Sequence, residues 1–91
     1  MVSKIDKNLI TKISKRYNAK RVILFGSSLY PNKKSNDIDI GVEGIPDKIF
    51  FRYYGDLLFS LSKPIDVIDL SKKSKFTDLI RREGQLLYGQ L

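Results

Sequence analysis

The 91-residue chain contains no cysteine and no histidine. These two absences remove disulfides, thiolate and imidazole metal sites, Ser-His-Asp triads, Cys-His dyads and histidine general bases. Whatever chemistry the chain performs must run on carboxylates, hydroxyls, amines and the backbone. Also missing is any apolar run near the ~18 residues a membrane-spanning helix needs. Met1-Val2-Ser3-Lys4 leads into a charged segment rather than a signal-peptide core. A soluble, cytoplasmic protein with no membrane partner is expected. Acids are scarce only in the front of the chain, where residues 1–36 hold nine Lys or Arg against the single Asp6. That segment therefore carries +8 and the remainder −1, for a total of +7. Such an imbalance points to a polyanionic ligand near a cation site, or to a solvated basic helix.

What is present is close to the globular average: 42% hydrophobic and 30% charged residues, which argues against disorder and coiled-coil composition. A chain this short holds one core, so a single domain over residues 1–91 is expected. Ser3 and Asp6 resemble a capping pair, and Ile5, Leu9, Ile10, Ile13 and Tyr17 recur at helical spacing, which predicts an amphipathic helix over 4–17. Arg21-Val22-Ile23-Leu24-Phe25 reads as a buried strand stopped by Gly26-Ser27, and residues 28–36 have the composition of a polar loop. Asp37-Ile38-Asp39-Ile40-Gly41-Val42 alternates strictly, placing Asp37 and Asp39 on one strand face. A second helix starts after Pro46, with an apolar stripe of Ile49, Phe50, Tyr53, Leu57, Leu58 and Leu61. Residues 64–70 give a third strand, and Phe76, Leu79, Ile80, Leu86 and Leu87 mark a last helix that bends or pauses at Gly84.

The order α, β, polar loop, β, α, β, α implies an α+β fold with α/β character: a small mixed sheet of about three strands with helices packed on one face. The short first connection favours an antiparallel pair, and the helical crossover a parallel one. This topology brings the end of the first strand, at Gly26-Ser27, to the start of the second, at Asp37 and Asp39, with Asp66 near the same edge. Converging carboxylates beside a Gly-Ser turn suit hard Mg²⁺ ions that neutralise a triphosphate. Gly26 would let phosphate approach the backbone. Asp66 and Asp69 face opposite ways on their strand, so only one of them can join the pair.

Phe25-Gly26-Ser27, nine intervening residues and Asp37-Ile38-Asp39-Ile40 resemble the signature of the DNA polymerase beta superfamily of nucleotidyltransferases. Ile65-Asp66-Val67-Ile68-Asp69-Leu70 resembles its third-carboxylate strand. Residues 80–88, Ile80-Arg81-Arg82-Glu83-Gly84-Gln85-Leu86-Leu87-Tyr88, are similar to the closing helix of its small stand-alone branch. That branch, the minimal nucleotidyltransferases (MNT), is often paired as the antitoxin of a HEPN-domain toxin. The resemblance implies the nucleotidyltransferase fold. It also implies a Mg²⁺-dependent transfer, with two ions, of AMP from ATP or of another nucleotide from its NTP to an acceptor hydroxyl, such as a tyrosine of the HEPN toxin. By the same resemblance Asp37, Asp39 and Asp66 are the catalytic and metal-binding residues, and Gly26 and Ser27 seat the β and γ phosphates. Asp69 then ends its strand or caps the next segment.

Close relatives carry Arg-Ala-Arg/Lys-Gly where this chain reads Ser28-Leu29-Tyr30-Pro31. Lys33 and Lys34 stand as replacements for the absent phosphate partner or as solvated loop charges. The alternative function is a non-catalytic binding module that neutralises its partner by forming a complex. Phe50, Phe51, Tyr53, Tyr54 and Phe59 put aromatics around more than one side of the second helix, as extra core or as a surface for a partner protein or a second copy of the complex. Nucleic-acid binding by the basic first helix ranks last, because no recognition motif accompanies the charge.

Overall fold

Ser3 opens the first helix as the capping pattern predicts: its Oγ accepts the Asp6 amide at 3.1 Å, and α1 runs Lys4–Arg16. The Asp6 carboxylate does not turn back to Ser3. It is buried and accepts from the amide and hydroxyl of Ser62 at 3.2 and 2.6 Å, tying the start of α1 to a segment 56 residues away. Asn18, in the left-handed conformation (φ 59°), ends the helix, with Ala19 N–H returning to the Ser14 carbonyl. The computed structural model describes residues 2–26 and 37–90.

The remaining elements are β1 (Arg21–Leu24), β2 (Ile38–Glu43), α2 (Asp47–Ser60), β3 (Ile65–Asp69), α3 (Lys75–Glu83) and β4 (Gln85–Gly89). The sheet order is β3-β2-β1-β4, with β1 antiparallel to β2 and β2 parallel to β3, as the connection lengths predict. The mixed α/β architecture matches the expected class, with one addition at the end of the chain. In place of a bent last helix, α3 stops at Glu83 and the chain continues as a fourth strand antiparallel to β1. Gly84 permits the switch, because a Cβ there would lie 2.3 Å from Ile23 Cγ2 and 2.8 Å from the Leu24 carbonyl oxygen. Pairing with β4 satisfies the backbone groups that β1 would otherwise leave open on that side.

Strand alternation divides the sheet into two unequal faces. Val22, Leu24, Ile38, Ile40, Val42, Ile65 and Val67 face Ile10, Ile13, Tyr53 and Leu57 of α1 and α2, forming the main core. On the other side Ile23, Leu70 and Ile80 make a small second cluster with Phe25, Ile68 and Leu86. The helices are therefore not confined to one face, since α3 covers the second. Its start is held by a reciprocal Ser74–Thr77 capping box, and its last turn by Arg81, which donates to Glu43 Oε1 at 3.0 Å and to the Leu70 carbonyl. Glu43 also pairs with Arg21. Inside the main core the Ser14 and Tyr53 hydroxyls meet at 2.7 Å, and burial pushes the Tyr53 phenol up to about 12 despite the opposing effect of Ser14. Among the described residues no helix is long and apolar enough to cross a membrane.

Candidate active site

Parallel register sets Asp39 directly beside Asp66, on neighbouring strands about 4.8 Å apart. Both side chains point away from the main core, because their neighbours Ile38, Ile40, Ile65 and Val67 point into it. Asp37 lies one residue before β2 and is exposed. The strand start that carries it is anchored where Ile38 N–H donates to the Pro64 carbonyl at 2.8 Å.

On the opposite side of Asp39, the end of β1 approaches closely. Phe25 N–H donates to the Asp39 carbonyl at 3.1 Å, and Gly26 comes next with φ +62°. A Cβ on Gly26 would stand 2.8 Å from Asp39 Oδ2, so any larger residue would displace the carboxylate as well as strain the backbone. The glycine thus lets the Asp39 carboxylate lie directly against the β1 terminus. Phe25 also meets Phe76 of α3 edge-to-face, with ring centroids 5.7 Å apart.

Asp69 belongs to a different structure. Its Oδ1 accepts from the Ser71 amide and hydroxyl at 3.0 and 2.6 Å, closing the turn after β3 on the face opposite Asp66. Gly26 and the three aspartates are brought to one end of the sheet, whereas Ser27, Lys33 and Lys34 fall outside the described residues. Sequence reasoning places Tyr54 only among the aromatics of the second helix. In the structure its hydroxyl donates to the Ile65 carbonyl at 2.8 Å, next to Asp66. Burial raises the Tyr54 phenol first, and the Asp66 charge raises it further. The one sequence signal is its position one residue off the apolar stripe that Tyr53 occupies.

The donor set of Asp37, Asp39 and Asp66 is oxygen only, which suits a hard divalent cation. Among the described residues, no group of three such side chains is drawn tightly enough to form a metal cage of its own.

Comparison with known proteins places the fold. The toxin-antitoxin structure with AMP-PNP superimposes with a TM-score of 0.76 and 24% identity, over 92% of this chain and 73% of that one. The tri-AMPylated Shewanella oneidensis HEPN toxin in complex with MNT antitoxin gives a TM-score of 0.73 and 24% identity, over 96% and 72% of the two chains. The toxin-antitoxin MntA-HepT gives 0.73 and 21%, over 97% and 74%. At these identities the likeness is one of fold. No curated protein matches the sequence significantly. The family described as "Polymerase beta, Nucleotidyltransferase" matches residues 7–90, nearly the whole chain. By this match the chain belongs to the polymerase beta nucleotidyltransferase family.

Proposed function

We propose that the chain transfers AMP from ATP to a hydroxyl of a partner protein, a tyrosine of a HEPN toxin, and so acts as the antitoxin of that pair. The observation that carries the reading is the juxtaposition of Asp39 with Asp66 in register, with the Gly26 backbone closed against Asp39. In this reaction the acceptor oxygen attacks the α-phosphorus, its bond to that phosphorus forms as the bond to the β-phosphate bridging oxygen breaks, and pyrophosphate leaves. Asp37, Asp39 and Asp66 would hold two Mg²⁺ ions, which supply charge neutralisation for the triphosphate. Asp66, on the outer strand, accepts the proton of the incoming hydroxyl. Gly26 and Ser27 seat the β and γ phosphates with backbone N–H groups, and Lys33 or Lys34 adds the positive charge missing after Gly-Ser.

The toxin-antitoxin assemblies among the structural neighbours support a protein acceptor. So does the outer face of α2, where Phe51 and Phe59 are 86% and 95% exposed and Leu58 is half-exposed. Isolated large apolar residues are common on surfaces, but three on one helix form a patch of the kind that anchors a partner. Tyr53 is fully buried and Phe50 packs against the core, so neither belongs to that surface.

The same patch favours a second reading, neutralisation by binding alone. Incubating the chain with ATP, Mg²⁺ and the protein of the adjacent gene separates them. A gain of one or more AMP masses on the partner is the expected result. A stable complex with unmodified partner would leave the binding module, and neither complex nor modification would overturn both.

A further inference from the structure

β3 is an outer strand, so half of its backbone groups have no neighbouring strand to pair with. The register shows which half. The Pro64 carbonyl accepts from Ile38 and the Leu70 amide donates to Val42, so even-numbered residues of this stretch turn toward β2 while Ile65 and Val67 turn outward. Tyr54, reaching over from α2, occupies that outward position. Its hydroxyl donates to the Ile65 carbonyl at 2.8 Å, at the edge to which Val67 also turns its backbone. Asp66 lies between those two residues, and after burial its negative charge is the next effect that raises the Tyr54 phenol. The segment is thus held from β2 on one side and from a single phenol on the other.

Accepting the transfer reaction argued above, we propose that Tyr54 is a positioning residue, whose hydroxyl fixes Asp66 at the place from which its carboxylate receives the acceptor's proton. The adjacent Tyr53 shows what a purely structural tyrosine looks like in the same helix. Its hydroxyl is buried against Ser14 in the α1–α2 interface, on the side of the sheet away from the carboxylates. Tyr54 instead places its hydroxyl at the rim of the site, while its ring lines a shallow apolar groove with Phe51, Gly55 and Leu58. Tyr54→Phe keeps that ring and removes only the tether.

The test compares wild type, Tyr54→Phe, Asp66→Asn and the double variant, using ATP, Mg²⁺ and the partner protein. Tyr54→Phe should lower kcat on the order of 10-fold, the loss typical of removing the outer support of a ligand, and weaken MgATP binding by less than that, because Asp37 and Asp39 stay in place. The double variant should be no slower than Asp66→Asn alone. In protein labelled with ¹³C at aspartate carboxyls, Tyr54→Phe should move the Asp66 resonance and leave Asp69 in place. An unchanged kcat, a loss that adds in full to that of Asp66→Asn, or an unmoved Asp66 resonance would overturn the assignment. Wild-type protein that neither binds MgATP nor modifies the partner would overturn the functional reading instead. The tether would then be decided by the carboxyl resonances alone, supported by a shift of Asp66 and overturned by none.

Discussion

The two faces of the sheet use the same strands for opposite ends. Toward α1 and α2, alternate residues of β1, β2 and β3 build a closed apolar core containing the fully buried Tyr53, Leu57, Ile40 and Val22. Toward α3 only a small cluster around Ile23, Leu70 and Ile80 is covered, and the end of the sheet beyond it carries Asp37, Asp39 and Asp66. The difference teaches that one face supplies stability so that the other can keep charged groups near water. Desolvating three carboxylates under a second full helical layer would cost far more than the apolar area gained.

The comparison predicts a clean separation of effects. Changing Asp37 and Asp39 together to Asn should abolish nucleotide transfer, a loss of several kcal/mol in transition-state stabilisation. Urea unfolding should show stability within about 0.5 kcal/mol of wild type. A double variant that unfolds would mean the open face is structural after all. Ile40→Ala, one residue along the same strand but facing the other way, should cost about 2 to 5 kcal/mol of stability. Any loss of transfer in that variant should disappear when assays are corrected for the folded fraction.

A third prediction uses pH. The folded Tyr53 phenol is raised to about 12 by burial, while in the unfolded chain it ionises near its ordinary value of 10.0. Because the unfolded state gives up the proton first, the contribution of this group is fully present below pH 10 and is lost as pH rises to about 12. The decline amounts to about 2 to 3 kcal/mol. Denaturation curves between pH 9 and pH 12 (roughly the window of the shift) should show it in wild type and a shallower decline in Tyr53→Phe. The smallest effect is at Gly55, in mid-helix with open space around its Cβ direction. Gly55→Ala should raise stability by about 0.5 to 1 kcal/mol. Because Gly55 also lines the groove on α2, the same variant should bind the partner protein more weakly, and unchanged affinity would move the contact off this groove.

Much of this arrangement is legible in the sequence. Alternation in Asp37-Ile38-Asp39-Ile40 separates acids from core residues without reference to the rest of the chain, and the same logic puts Asp66 and Asp69 on opposite faces of their strand, the choice of Asp66 coming from the family resemblance. The polar cap at Ser3 is equally local. Gln85-Leu86-Leu87-Tyr88 reads as helix, although it forms a strand, because its apolar residues continue the spacing of α3 and nothing nearby reports that β1 has an open edge to fill. The same limit hides the Asp6–Ser62 link and the reach of Tyr54 to β3, which join residues distant in the chain or on separate elements.

The sequence by itself determined which side chains share a face, where the first two helices begin and that no thiol or imidazole takes part, because these depend on residue type and on periods of two and 3.6 residues. Tertiary structure alone decided that Asp39 stands beside Asp66, that Gly26 closes against Asp39, that the last segment becomes β4 and that one phenol holds the outer strand. Those outcomes arise from backbone groups seeking partners across the sheet, and a partner's identity is settled only when the whole chain has packed.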